Sequence, residues 1–107
     1  MPAIVIHCTC PDDGIAAGIA EALVAARLAA CVQQVPGVRS TYVWEGRVEH
    51  AREVLLLIKT MDDRLDAVIE TVRALHPYEL PELLAVEARG GLPAYLDWVA
   101  TQSRADA

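Results

Sequence analysis

Two cysteines near the start of the chain have the type and spacing of a soft-metal site. Cys8 and Cys10 lie two residues apart in a β-rich segment, residues 3–10. On a strand, both side chains leave the same face, about 6.6 Å apart along the chain. Thiolates suit Cu(I) or Zn(II), and His76 can add an imidazole if its loop reaches the end of this strand.

Each of these residues also has a structural interpretation. Unpaired cysteine is often a small buried core residue, which is the alternative for Cys8. His76 precedes Pro77 and can instead be a loop residue held by hydrogen bonds. Both alternatives stay open from the sequence. For His7, on the opposite strand face, and for Cys31, in an apolar segment, the structural interpretation is favoured.

A second set of side chains combines aromatic rings with both signs of charge. Its members are Trp44, Glu45, Lys59, Tyr78 and Glu82. A lysine and carboxylates beside aromatic rings can line a cleft for a small anion or a metabolite. The alternative is a salt bridge between subunits with aromatic packing around it.

The composition limits the classes of function. The 107 residues fit one domain, 1–107, and the net charge of −6 with a single lysine argues against a nucleic-acid partner. Three cysteines are too few, and odd in number, for a secreted disulfide framework. The sequence has no P-loop, HExxH, CxxC or nucleophile elbow, so we expect a protein that is not an enzyme.

The chain start and the apolar runs bear on location. Residues 1–4 lead directly into a strand-like segment without the features of a signal peptide. The longest apolar run, residues 54–58, is far too short to cross a bilayer. We therefore expect a cytoplasmic protein with no membrane partner.

The hydrophobic periodicity predicts how these side chains are positioned. The expected elements are a strand at 3–10, a helix at 13–29 capped by Asp12 or Asp13, strands at 31–44 and 48–60, a helix at 62–75, a strand at 82–89, a short helix opened by Pro93, and a flexible tail at about 101–107. This β-α-β-β-α-β order is the α+β, ferredoxin-like split βαβ pattern. Its first and fourth strands are antiparallel neighbours, so residues 8–10 and 76–82 are expected to meet at one sheet end.

The middle hairpin is too long for a monomer of this fold. Fourteen strand residues extend about 46 Å, whereas a sixteen-residue helix covers only about 24 Å. Pro36-Gly37 predicts a bulge in the first of the two strands, and Gly46 predicts a tight turn at the tip. The outer part of the hairpin therefore projects beyond the helices and exposes Val43, Trp44 and Val48 unless another chain covers them. Self-association is the expected result.

Six short blocks along the chain carry a family resemblance. They are Ala30-Cys31-Val32, Pro36-Gly37-Val38, Tyr42-x-Trp44-Glu45-Gly46, Glu53-Val54-x-Leu56-Leu57-Ile58-Lys59-Thr60, His76-Pro77-Tyr78-x-x-Pro81-Glu82 and Tyr95-Leu96-x-Trp98. In this order and at these spacings they resemble the CutA family, the divalent-ion-tolerance proteins. The resemblance implies a ferredoxin-like fold assembled as a homotrimer by interlocking strands, and a link to tolerance of divalent cations, copper especially.

The resemblance also bears on the candidate ligands. In the copper site described for the family, a cysteine at the end of the first strand joins two consecutive histidines before Pro-Tyr. Cys8 matches that cysteine and His76 the second histidine, while Leu75 stands in place of the first. The leading expectation is a trimeric protein that binds or responds to metal, copper being the candidate ligand. The alternative is a small-molecule signalling trimer resembling the PII group, with ligand clefts between subunits.

Overall fold

Four strands and three α-helices make up the computed structural model, which describes residues 2–104 of the chain. They are, in chain order, β1 (Ala3–Cys10), α1 (Asp13–Ala25), β2 (Cys31–Trp44), β3 (Arg47–Met61), α2 (Leu65–Leu75), β4 (Leu84–Glu87) and α3 (Pro93–Gln102), with a 3-10 turn at Asp62–Arg64 before α2. The strands form one antiparallel sheet in the order β2-β3-β1-β4. This arrangement confirms the predicted ferredoxin-like fold.

The central strand β1 extends past the end of its neighbour β4. Its pairing with β3 covers the whole strand, from Ala3↔Met61 to Cys10↔Val54. Its pairing with β4 stops at His7↔Leu84. The last three residues of β1 therefore lie beside the loop that joins α2 to β4, rather than beside a strand.

The core lies between one face of the sheet and the first two helices. Side chains alternate across a strand, so every second residue of β1 and β3 points to this face. The buried cluster consists of Ile4, Ile6, Cys8, Cys10, Val54, Leu56 and Ile58 from the sheet, packed with Ala16, Ile19, Leu23, Ala29, Val68 and Val72. The two cysteines thus belong to the core and lie at its edge, where β1 ends.

The hairpin of β2 and β3 has both features that its sequence predicts. The register shifts between Val35 and Val38, and Gly37 there has a φ of +74°. The tip is a two-residue turn in which Glu45 and Gly46 both have positive φ, at 52° and 77°. Two consecutive positive φ values are typical of the type I′ turn, whose twist suits a tight hairpin.

The first helix is shorter than its sequence predicts, because the chain turns at a residue that is not glycine. α1 ends at Ala25 instead of near residue 29, and Arg27 has a φ of +58°. The amide of Leu28 then donates to the carbonyl of Leu23, and that of Arg27 to Val24. This is the pattern of a Schellman motif, which usually has glycine where Arg27 stands.

Arg27 also forms hydrogen bonds with the backbone at the end of α3. Thr101 and Gln102 complete α3, and Ser103 is only 1% exposed. The Nε of Arg27 donates to the carbonyl of Arg104 at 2.8 Å. The tail that the sequence predicts at about 101–107 thus begins inside α3, and residues 105–107 lie outside the described part. The fourth strand is also shorter than predicted, with residues 84–87 paired instead of 82–89.

Candidate metal cluster and adjoining cleft

Three side chains that can ligate a metal meet at the end of β1. The ligand atoms of Cys8, Cys10 and His76 all lie within 4.8 Å of one another, and all three residues are buried. The cysteines share the core face of β1, while the histidine comes from the loop after α2. The strand order brings together the residues that the sequence singles out as soft ligands.

Proline determines where the histidine is placed. A residue before proline is disfavoured in the helical conformation, so α2 cannot continue through His76. His76 is accordingly extended, with φ −85° and ψ 134°, and caps the helix through its amide, which donates to the carbonyl of Val72 at 2.8 Å. This turn directs the chain across the end of the sheet and brings the imidazole against β1.

Two hydrogen bonds hold the imidazole of His76. Its Nε2 lies 2.8 Å from the carbonyl oxygen of Thr9, the residue between the two cysteines. The amide of Tyr78 donates to its Nδ1 at 3.1 Å. Because a carbonyl only accepts and an amide N–H only donates, the ring is neutral with its proton on Nε2. A metal ion can therefore bind His76 only by replacing one of these two partners.

The two thiols differ in acidity. Hydrogen bonding with Cys10 is the main cause that raises the pKa of Cys8, and burial adds to it. The same hydrogen bond lowers the pKa of Cys10, against the opposing effect of its own burial. The two thiols therefore titrate as a pair, whose second proton is harder to remove than the first. Binding of a metal ion by both sulfurs has to release the Cys8 proton as well.

The chemistry of these donors fits a soft metal ion. Two sulfurs and one imidazole nitrogen suit Cu(I) or Zn(II), whereas hard cations such as Mg²⁺ and Ca²⁺ prefer oxygen. Three protein ligands also leave a coordination position free. The side chain of Leu75, where the resemblance leads one to expect another histidine, is 47% exposed at the end of α2. The cluster at hand consequently has one imidazole and two thiols.

A cleft of about 710 Å³ adjoins the cluster. Its walls are the outer half of β2 and the loop after α2, and it is lined by Thr9, Ser40, Thr41, Tyr42, Val43, Trp44, Glu53, Tyr78, Glu79, Leu80, Pro81 and Glu82. Of the side chains that the sequence suggests for a cleft, Trp44, Tyr78 and Glu82 lie here. Glu45 belongs to the hairpin turn and is not part of the lining.

The single lysine is not part of the cleft either. Lys59 pairs with Val5 and Cys31 in the sheet, and its Nζ lies 5.8 Å from the centre of the Tyr95 ring. This contact connects β3 with α3, which lies on the sheet face opposite α1 and α2. The cleft suggested for a small anion thus lacks the cation that was expected to attract one.

The cleft wall contains a buried carboxylate that the sequence pattern does not mark. Glu53 is 7% exposed and its Oε2 accepts a 2.8 Å hydrogen bond from the hydroxyl of Tyr78. Burial, and then this bond, raise the pKa of Tyr78. In the sequence Glu53 is the last of the polar residues that begin β3, and only its position next to the apolar run distinguishes it from exposed neighbours.

Two residues of the cleft contact the cluster. Tyr78 contacts His76 through its amide and its ring, whose centre lies 4.7 Å from that of the imidazole, and reaches Glu53 with its hydroxyl. Thr9 accepts the hydrogen bond from His76 with its carbonyl and also lines the cleft. A shift of His76 would consequently move part of the cleft wall.

The remaining cysteine and the first histidine lie apart from the cluster. Cys31 is half-buried at the start of β2, paired with Lys59. His7 points to the sheet face opposite Cys8, as strand alternation requires. Among the described residues, no helix is long and apolar enough to cross a membrane.

The fold and the site define a class, an α+β ferredoxin-like domain with a thiol–imidazole cluster at the end of its central strand. Residues 4–102 match the profile of the CutA1 divalent ion tolerance protein family. The chain belongs to this family. The divalent-cation tolerance protein CutA of Pectobacterium atrosepticum is 45% identical over 97 residues, which cover 91% of this chain and 88% of that protein.

A plant relative and a solved bacterial structure agree with this assignment. The chloroplastic protein CutA 1 of Oryza sativa is 41% identical over 97% of this chain, which spans 59% of the rice protein. The crystal structure of CutA from Xylella fastidiosa superposes with a TM-score of 0.93 at 47% identity, over 97% of this chain and 100% of that one.

Proposed function

We propose that this protein is a homotrimeric, non-enzymatic member of the divalent-cation tolerance family that binds a soft metal ion, copper foremost, at Cys8, Cys10 and His76. The observation that carries the proposal is the convergence of three soft or imidazole donors within 4.8 Å at the end of β1. A buried donor set of two sulfurs and one imidazole nitrogen selects soft ions over the hard cations that are abundant in cells.

Metal binding at this position is coupled to the loop after α2. Binding would release the thiol proton of Cys8 and use one nitrogen of His76. At Nδ1 the ion would replace the amide of Tyr78; at Nε2 it would replace the carbonyl of Thr9, and the ring proton would move to Nδ1, so that the hydrogen bond from the Tyr78 amide is lost as well. Both of these residues line the cleft. Occupancy of the cluster therefore alters the cleft wall, which is the property that a metal-responsive protein needs.

The exposed apolar surface supports assembly with further copies. At the tip of the hairpin, Val43 and Val48 are 69% and 68% exposed and form a cross-strand pair. Leu84 and Val86 of the edge strand β4 are exposed as well. A long hairpin and an apolar strand edge that are both open to water are best explained by contact with neighbouring subunits.

A competition titration with Cu(I) tests the metal site. Cu(I) is added to the reduced protein in the presence of bathocuproine disulfonate, whose copper complex is coloured, and Cd(II) gives an independent thiolate charge-transfer signal. We expect one ion per chain in the parent, loss of binding in Cys8→Ser and weaker binding in Cys10→Ser and His76→Gln. Cys31→Ser is the matched control and retains the parent's affinity. If Cys8→Ser binds copper as tightly as the parent, the metal site is not this cluster.

A further inference from the structure

Tyr78 connects the imidazole of the cluster to the sheet through two hydrogen bonds. Its amide donates to Nδ1 of His76 at 3.1 Å, and its hydroxyl donates to Oε2 of Glu53 at 2.8 Å. The Tyr78 ring also packs against the imidazole, with 4.7 Å between the two ring centres. A single residue thus joins a candidate metal ligand to a carboxylate of β3.

The Glu53 end of this connection is held in place by the sheet. Glu53 is 7% exposed and pairs with Val38 of β2. A hydroxyl that donates to a carboxylate makes a stronger hydrogen bond than one that donates to a neutral acceptor. Pro77, between His76 and Tyr78, has a φ that its ring fixes. The Tyr78 amide consequently has little freedom to move away from the imidazole while the hydroxyl stays bound to Glu53.

Metal binding at either nitrogen of His76 removes the acceptor of the Tyr78 amide. At Nδ1, the ion takes the lone pair to which the amide donates. At Nε2, the ion replaces the carbonyl of Thr9, and the ring proton moves to Nδ1, which then cannot accept a hydrogen bond. An amide that lies away from water without an acceptor is unfavourable, and this cost reduces the free energy gained on metal binding.

We propose that the hydrogen bond from Tyr78 to Glu53 is a latch that lowers the affinity of the cluster for metal ions. While the latch is closed, the Tyr78 amide stays beside the imidazole, so metal binding leaves it unpaired. When the latch opens, the loop can turn this amide toward water, and the cost is removed. Tyr78 is therefore a positioning residue, which acts on the metal ion through His76. The proposal rests on the proposed function, because it concerns metal binding by the same cluster.

The latch and a purely structural contact predict changes of opposite sign. If the Tyr78 hydroxyl only maintained the shape of the loop, its removal would displace His76 and weaken metal binding. If the hydroxyl closes a latch, its removal makes metal binding tighter, although the metal-free protein becomes less stable. Cys8 and Cys10 stay in place in either case, because they belong to β1.

Titration of Tyr78→Phe with Cu(I), in competition with bathocuproine disulfonate, measures the sign. We expect about tenfold tighter binding than in the parent, because the cost of one unpaired amide is removed. Tyr95→Phe removes the hydroxyl of a tyrosine on α3, and as the control it should bind copper as the parent does. Circular dichroism and melting establish that each variant is folded. Equal or weaker copper binding by folded Tyr78→Phe would overturn the proposal.

A measurement on the parent protein follows the Tyr78 amide directly. Cu(I) is diamagnetic, so amide hydrogen exchange can be followed by NMR in both the metal-free and the Cu(I)-bound protein. We expect the Tyr78 amide to exchange at least about tenfold faster once Cu(I) is bound, because it has lost its acceptor. The amide of Leu56, inside β3, is the control and should keep its protection. An unchanged exchange rate of Tyr78 in the copper-bound protein would contradict the latch.

A double-mutant cycle shows whether the latch acts through His76. In the His76→Gln background, Tyr78→Phe should change copper affinity by less than about twofold, because no imidazole remains to be released. The same gain with and without His76 would mean that the hydroxyl acts on the ion through the charge of Glu53, and the latch would be wrong. Failure of the metal site itself is recognised separately: Cys8→Ser then binds copper as tightly as the parent, and both proposals fall.

Discussion

The imidazole of His76 donates a 2.8 Å hydrogen bond to the carbonyl of Thr9, the residue between the two cysteines of the cluster. This single contact joins the loop after α2 to the end of the central strand. Because of this bond, the imidazole is already held beside Cys8 and Cys10 when no metal ion is bound. Stability and the proposed metal binding consequently depend on the same side chain.

The first prediction concerns the stability of the metal-free protein. His76→Ala leaves the Thr9 carbonyl and the Tyr78 amide without their partner in a buried place, which costs about 1–3 kcal/mol. Urea unfolding of the metal-free protein measures this loss. His50→Ala, at an exposed histidine of the hairpin, is the control and should change the free energy of unfolding by less than about 0.5 kcal/mol. Equal stability of His76→Ala and the parent would contradict the structural role of His76.

The second prediction concerns pH and copper. Both thiols have to be deprotonated to bind a metal ion, and the pKa of Cys8 is raised by Cys10 and by burial. Copper affinity should therefore fall steadily as pH is lowered from about 8 to about 6, as released protons compete with the ion. The Cu(I) competition titration, repeated at several pH values with the chelator's own protonation accounted for, measures the slope. Affinity that is independent of pH would show that thiolates are not the ligands.

The third prediction concerns stability in alkali. Burial and the hydrogen bond to Glu53 raise the pKa of Tyr78 above its ordinary value of 10.0. The unfolded chain therefore loses this proton at a lower pH than the folded one, so the free energy of unfolding should fall as pH rises past about 10. Tyr78→Phe removes the ionisable hydroxyl, so its free energy of unfolding should fall less steeply with pH than that of the parent. Urea unfolding at a series of pH values measures both slopes.

A matched tyrosine controls that experiment. Tyr95→Phe leaves the Tyr78–Glu53 pair intact and should keep the slope of the parent. Near neutral pH, Tyr78→Phe should itself cost about 1–3 kcal/mol, because it removes a hydrogen bond from a buried carboxylate. Identical pH slopes in Tyr78→Phe and the parent would contradict the assignment.

The fourth prediction concerns assembly. Light scattering should give a mass three times the 11.6 kDa of one chain. Gly46→Val places a β-branched residue at a φ of +77° and should weaken the hairpin tip and with it the trimer. Gly90→Val, at a glycine with open space and an ordinary φ, is the control and should assemble as the parent does. A parent mass near that of a single chain would refute the trimer.

The fold is largely predictable from the sequence because its signals are local and strong. The Pro36-Gly37 pair predicts the bulge and Gly46 the turn, since each needs a backbone conformation that few residues adopt. The strand order follows from the element order, and it places Cys8, Cys10 and His76 at one end of the sheet. These inferences need only chain connectivity and the alternation of side chains.

What the sequence does not reveal depends on distant contacts. The end of α1 at Arg27 has no glycine to mark it, and this arginine is held by the backbone at the far end of α3. Glu53 follows other polar residues at the start of β3, and it is buried where the loop after α2 meets that strand. Lys59 belongs to the same sequence block as Glu53, yet the extended strand separates the two by about 20 Å. The lysine consequently lies beside Tyr95 and outside the cleft.

The central position of β1 has a consequence for how the chain folds. This strand precedes its partners and is distant from them in sequence, since Ala3 pairs with Met61 and Ile4 with Glu87. The β2–β3 hairpin, closed by a two-residue turn, forms from local contacts at far lower entropic cost. We therefore infer that the hairpin forms first and that β1 joins it later. Until then the thiols of Cys8 and Cys10 are open to solvent, so a soft metal ion can reach them during synthesis without having to open the finished core.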